Sequence, residues 1–159
     1  MKELSRLSQP AANRLIASKQ TISVSESSTG GLISAALLSI PGASAYYKGG
    51  SVVYTLSSRK IFLDLTKEDI TGLEPMTESM ALRFAEKTRS RLNSDWAIAE
   101  LGIAGPTGSP YGVGPGTSVI AIAGPKSNTV KIETNDNDRE SNMMVFTKSA
   151  LELLKTTIS

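Results

Sequence analysis

Thr21-Ile22-Ser23-Val24-Ser25-Glu26-Ser27-Ser28-Thr29-Gly30-Gly31-Leu32 is the stretch on which the fold turns. Its first five residues alternate polar and apolar, the period of a strand. Ile33, Ala36, Leu37 and Ile40 then mark one face of a helix. Ser28-Thr29-Gly30-Gly31 opens that helix and Pro41-Gly42 stops it. Ligands of α/β sheets bind at the carboxyl ends of strands. A helix N-terminus there offers unpaired N–H groups and partial positive charge, suited to phosphate or a developing oxyanion. Gly30 and Gly31 would let a ligand come close to the backbone. The same residues also read as a plain helix cap, with Ser27 or Ser28 satisfying free N–H groups. Glu26 fits either reading, as a group that orients a hydroxyl or a partner, or as a local cap.

Outward from this junction the two periods alternate. Leu4, Leu7, Ala11 and Leu15 fall at helical spacing, with Pro10 predicted to start or bend that helix. Gly50 to Thr55 reads as a second strand, and a short helix is expected around Arg59 to Leu65. Thr77 is an N-cap for an amphipathic helix carrying Met80, Ala81, Phe84, Ala85 and Leu92. Trp96 to Ala99 is a short buried strand. Ser118 to Ala123 and Thr129 to Glu133 flank Gly124 to Asn128 as a hairpin. Asp138 caps a last helix, with Met143, Phe146, Ala150, Leu153 and Leu154 inward. This order predicts one domain over residues 1–159, a three-layer α/β/α sandwich. Its sheet is expected to be mixed and mostly parallel, ending in an antiparallel hairpin.

A second unusual stretch runs from Gly102 to Gly116. It holds six of the chain's 13 glycines and three of its 7 prolines. Following a buried strand, it reads as a rigid cover for a substrate or as a plain connection. It matches neither a Walker loop nor a dinucleotide fingerprint.

Composition narrows the chemistry. The 159 residues include no cysteine and no histidine. Disulfides, Cys/His zinc sites, thiol nucleophiles and Ser-His-Asp triads are therefore excluded. A general base must be Lys, Tyr, a carboxylate or water. The 17 basic residues against 15 acidic ones are scattered, so no nucleic-acid or membrane patch is expected. The first stretch lacks the apolar core of a secretory signal. The longest apolar run, Val119 to Ala123, is far short of the ~20 residues of a membrane span. The default expectation is a cytoplasmic location.

Ser25-Glu26-Ser27-Ser28-Thr29-Gly30-Gly31-Leu32 resembles the Ala-Glu-Ser-Cys-Thr-Gly-Gly signature of the CinA C-terminal domain family, which contains the nicotinamide mononucleotide deamidases. The resemblance continues through Ile40 to Tyr47, Gly49 to Thr55, Gly102-Ile103-Ala104-Gly105-Pro106-Thr107-Gly108 and Asp138-Arg139, in order along nearly the whole chain. It implies hydrolysis of the carboxamide of nicotinamide mononucleotide to the acid and ammonia. It also implies no metal or organic cofactor, and a homodimer or larger homo-oligomer. On these motifs Ser27 takes the nucleophile position, Tyr54 the tyrosine of the following strand, and Arg59 a position usually held by Lys. Lys60 is next to it. Glu26, Ser28, Thr29, Gly30 and Gly31, with Gly105, Pro106 and Thr107, are the expected substrate-binding residues.

The chain also departs from the family. Ser28 replaces the signature Cys, Arg59 the Lys, Leu101 a hydroxyl residue and Met143 an Arg, and Tyr111 to Pro115 differ from the usual loop. Arginine cannot serve as a general base. The proton of Ser27 is therefore assigned to Lys60 or Tyr54, and oxyanion stabilisation to N–H groups near Gly30-Gly31. The alternative is a module that binds a phosphorylated ligand without turnover. Arg59 and Lys60 lie about 100° apart on a helix, so only one, Arg59, is expected to face the ligand.

Overall fold

The computed structural model describes residues 1–159. Its elements are α1 (Lys2–Ser18), β1 (Ile22–Glu26), α2 (Leu32–Leu38), β2 (Tyr47–Val52), α3 (Leu56–Leu63), α4 (Lys67–Ile70), α5 (Glu78–Leu92), β3 (Trp96–Ile103), β4 (Thr117–Ala123), β5 (Asn128–Glu133) and α6 (Arg139–Ile158). Five strands form one sheet in the order β2-β1-β3-β4-β5. β1 pairs in parallel with β2 and β3, while β4 runs antiparallel to both β3 and β5. Four strands thus point one way and β4 alone runs back. The expected three-layer α/β fold, with its mixed sheet and terminal hairpin, is the one observed.

Strand periodicity assigns each face. Ile22, Val24, Ile98, Ile120 and Ile122 pack under α1, α2 and α6. Ala99, Leu101, Val119, Ala121 and Ala123 meet Leu63, Met80, Phe84 and Ala85 on the other side, under α3 and α5. Side chains alternate along a strand. Glu26 and Glu100 therefore lie on the α2 and α6 face, and Ser27 begins the turn that leaves the sheet.

Local chemistry explains the helix starts. Thr55 with Ser58, and Thr66 with Asp69, form capping boxes. Thr77 and Asp138 cap α5 and α6 through their side chains, as their sequence predicts. Three expectations need correction. α1 starts at Lys2 and runs through Pro10, whose ring sits on the exposed side of the helix. The second strand is Tyr47–Val52, earlier than Gly50 to Thr55, because Thr55 is taken as the cap of α3. β3 extends to Ile103, so Gly102 belongs to the strand and not to the loop. The short helix α4 had no apolar period to reveal it. No helix is long and apolar enough to cross a membrane.

Candidate functional site

A cavity of about 780 Å³ opens at the carboxyl ends of β1 and β3, between α3 to α5 and the glycine-rich loop. It is lined on one side by Ser27, Leu101 and Gly102, and on another by Tyr54, Arg59 and Lys60. Gly105, Thr107, Tyr111 and Arg139 line the rest. The structure thus gathers Ser27, Tyr54, Arg59, Lys60, Gly105 and Thr107, all named from sequence, around one space. Arg59 and Lys60 both reach it, contrary to the expectation that one alone would. Their long side chains span the angular gap that separates their Cα–Cβ bonds.

Glu26, Ser28, Thr29, Gly30, Gly31 and Pro106 do not line it. Glu26 is fully buried and caps α2 from below. Its Oε1 accepts from Thr29 Oγ1 at 2.7 Å, Gly31 N–H at 2.9 Å and Ile33 N–H at 3.1 Å. Its Oε2 accepts from Ser34 N–H at 3.0 Å and Ser34 Oγ at 2.8 Å. Gly30 N–H donates to the Ser27 carbonyl at 3.2 Å. The cap reading of this turn is therefore the one realised at Glu26, and these N–H groups are taken within the chain.

Glu100 is a residue that sequence reasoning missed. Its Oε2 accepts from the peptide N–H of Ser27 at 3.0 Å and of Thr29 at 3.1 Å, and lies 3.1 Å from Thr29 Oγ1. Its Oε1 accepts from Ser28 Oγ at 2.5 Å and Ser118 Oγ at 3.1 Å. Burial pushes this carboxyl above its ordinary value, against the hydrogen bonds from Ser28, Thr29, Ser27 and Ser118. A lone charged residue in the apolar run Trp96 to Leu101 was the available signal.

The Ser27 hydroxyl, unlike those of Ser28 and Thr29, has no hydrogen-bond partner in the chain and opens on the cavity. Across from it, Arg59 donates from Nε to the Val53 carbonyl at 3.2 Å, and its guanidinium lies 5.3 Å from the Phe84 ring centroid. Burial pulls this guanidinium below its usual value, with Tyr111 and Glu100 acting the other way. Arg139, at the first turn of α6, donates from Nη1 to the Gly105 carbonyl at 2.6 Å and from Nη2 to Tyr54 OH at 3.1 Å. It joins the glycine loop to the segment before α3. In the sequence Arg139 stands out only as part of the Asp138-Arg139 segment.

Arg59, Lys60, Lys67 and Arg139 line the cavity, no Asp or Glu does, and none of the four forms a salt bridge. Unpaired cations around one concave space favour an anionic ligand. The loop is tied down as well: Asn142 Nδ2 donates to the Ala104 carbonyl at 2.8 Å, and Ser109 N–H to the Val113 carbonyl at 2.8 Å. No three His, Cys, Asp or Glu side chains gather where a metal ion would be held.

Comparison with known proteins gives a consistent result. A family model described as the CinA C-terminal domain matches residues 4–158. A CinA-like protein of Gloeobacter violaceus is 34% identical over 154 residues, covering 96% of this chain and 36% of its own length. One from Sulfurihydrogenibium is 34% identical over 137 residues, covering 86% and 34%. The chain thus spans about a third of the curated relatives it matches. Among solved structures, a competence-damaged protein (CinA) superfamily protein from Enterobacter cloacae superposes with a TM-score of 0.89 at 27% identity, covering 98% of this chain and 92% of that one. A competence/damage inducible protein from Agrobacterium tumefaciens gives 0.87 at 27% identity, covering 98% and 94%.

Proposed function

The chain belongs to the CinA C-terminal domain family, and from that premise we propose that it is an amidohydrolase that converts nicotinamide mononucleotide to nicotinate mononucleotide and ammonia. The observation that carries this reading is the unpartnered Ser27 hydroxyl facing a cavity where Arg59, Lys67 and Arg139 stand unpaired beside Lys60. A serine positioned beside a phosphate-binding surface suits acyl transfer on a phosphorylated amide.

In the proposed reaction Ser27 Oγ attacks the carboxamide carbon while Lys60 Nζ, at the same cavity, takes the hydroxyl proton. The same proton passes to the leaving nitrogen, ammonia departs, and water hydrolyses the resulting ester. The N–H groups near Gly31 are committed to Glu26, so the oxyanion donor is assigned elsewhere. The Ala104 carbonyl is held by Asn142 on α6. The N–H of Gly105 is antiparallel to it in the same planar peptide. It is the donor we assign to the oxyanion, on the loop wall that Gly105 contributes to the cavity. Arg59 and Arg139 take the phosphate or carboxylate through planar, charge-assisted contacts.

The proposal extends to a cytoplasmic homodimer or larger homo-oligomer, with a small-molecule nucleotide as substrate and no nucleic acid or membrane partner. The homo-oligomer draws support from Leu56, Ile61 and Phe62, which are 71%, 67% and 57% exposed on α3 beside the cavity.

Purified protein incubated with nicotinamide mononucleotide should release ammonia, and Ser27→Ala should not. Equal release from both would remove Ser27 from the reaction. A second reading has two observations in its favour: Arg59 stands where the family carries Lys, and Leu101 puts an apolar side chain at the cavity. It is a module that binds the nucleotide without turnover. Binding by calorimetry with no ammonia from the wild-type protein would decide for it.

A further inference from the structure

We infer that Glu100 is a positioning residue that holds Ser27 in the orientation its chemistry needs, an inference that rests on the Ser27 reaction proposed above. The Glu100 carboxyl is fully buried beneath the turn between β1 and α2. Its Oε2 grips the peptide N–H of Ser27 and that of Thr29, one on either side of Ser28. The Glu100 carbonyl accepts from the same Ser27 N–H at 3.1 Å. Fixing these peptide groups fixes the Cα–Cβ direction of Ser27, which is how its hydroxyl is left open on the cavity.

The surroundings are built for this carboxyl. Ser28 and Ser118 place hydroxyls on Oε1, and Ser118 also reaches the Leu101 carbonyl at 3.2 Å. Gly102, two residues on along the same face of β3, supplies the room. A Cβ there would collide with Ser28 Oγ and Glu100 Oε1. No cation pairs with Glu100, so it is not half of a buried salt bridge. α2 already has its cap in Glu26. Two of its same-face neighbours on the sheet are apolar, Ile98 before it on β3 and Ile120 beside it on β4, and the one across on β1 is Glu26, already engaged in capping α2. Packing alone would be met by another apolar residue, without burying a carboxyl. What an apolar side chain cannot supply is an acceptor for the Ser27 and Thr29 amides.

The test uses three proteins: wild type, Glu100→Gln and Glu100→Asp. Glutamine keeps an oxygen for the two amides and turns its NH₂ toward the two hydroxyls. Aspartate keeps the acid but withdraws it by one methylene. Two readouts are taken on proteins whose melting curves show them folded. One is the labelling rate of Ser27 by a fluorophosphonate, followed by mass spectrometry; the other is kcat and KM for ammonia release from nicotinamide mononucleotide. The expected result is labelling and kcat within about threefold of wild type for Gln, and down about tenfold or more for Asp, with KM little changed. If Asp does not fold, Ser28→Ala loosens the carboxyl instead, and about a threefold loss in labelling is expected. Equal labelling in all folded variants overturns the inference, and so does a wild-type Ser27 that is never labelled. Wild-type labelling that depends on Glu100, without ammonia release, supports the inference and counts against the proposed substrate alone.

Discussion

Glu26 and Glu100 occupy paired positions on the neighbouring strands β1 and β3, both fully buried, with the Thr29 hydroxyl between them at 2.7 and 3.1 Å. One hydroxyl carries one proton, so it cannot donate fully to both carboxyls. Glu26 lies at the shorter distance and collects three backbone N–H groups besides. Burial pushes Glu100 above its ordinary value of 4.5.

The sign of the resulting pH dependence follows by linkage. Between pH 4.5 and the raised native value, folded Glu100 binds more proton than the unfolded chain does. It therefore favours the fold at the acidic end of that window, and the benefit is lost as pH rises through the native value. Glu100→Gln has no such titration. The melting temperature of Gln minus that of wild type should rise with pH across this window, in paired thermal melts. Asp69 and Glu3, whose carboxyls are held low by hydrogen bonds from Thr66 and Lys148 respectively, are common to both proteins and cancel. A difference that is flat in pH would show Glu100 to titrate normally.

Arg139 ties two walls of the cavity together through Gly105 and Tyr54. A hydrogen bond to a charged group contributes about 1.5–3 kcal/mol, and about 1.4 kcal/mol is tenfold in affinity. Arg139→Ala should weaken binding of nicotinamide mononucleotide by about tenfold or more, measured by calorimetry. Arg139→Lys keeps the charge but not the fork, and should recover only part of the loss. Unchanged affinity in Arg139→Ala would confine this residue to holding the loop.

Arg59 and Lys60 now share the cavity, and their roles separate by chemistry. Arg59→Ala should weaken ligand binding and also lower the melting temperature, because it removes the contact over Phe84 and the bond to Val53. Lys60 is exposed and holds no structural bond, so Lys60→Ala should keep stability and affinity while turnover falls by about 10²-fold or more. Turnover intact in Lys60→Ala would move the proton to Tyr54.

As an expected substrate-binding residue, Gly31 would make Gly31→Val harm binding more than folding. The structure reverses the order of those effects. Gly31 has φ +101° and its N–H is held by Glu26. Valine there should cost about 1–3 kcal/mol of stability through backbone strain, read from a denaturant titration. Affinity of the folded fraction should change little, since Gly31 does not line the cavity. A large loss of affinity with unchanged stability would make Gly31 a ligand-binding residue.

The chain's own order of periods determined a good deal. The strand-to-helix junction at Ser25 to Gly31, the caps Thr77 and Asp138, and the hairpin around Gly124 to Asn128 are local patterns, and they stand in the structure. Ser27, Tyr54 and Arg59, singled out by the family resemblance, lie around one cavity, because strand ends of a parallel pair open on the same side. What tertiary structure alone decided is which polar groups remain free. Whether the N–H groups of the turn face a ligand depends on acceptors brought by other segments. Gly31 is answered by Glu26 from the strand below, and Ser27 and Thr29 by Glu100 from a strand more than seventy residues away in sequence. Arg139 comes to Tyr54 across 85 residues in the same way. Local pattern shows that a donor exists. Only the register of β1 against β3, and the packing of α6 over the sheet, say what has already satisfied it.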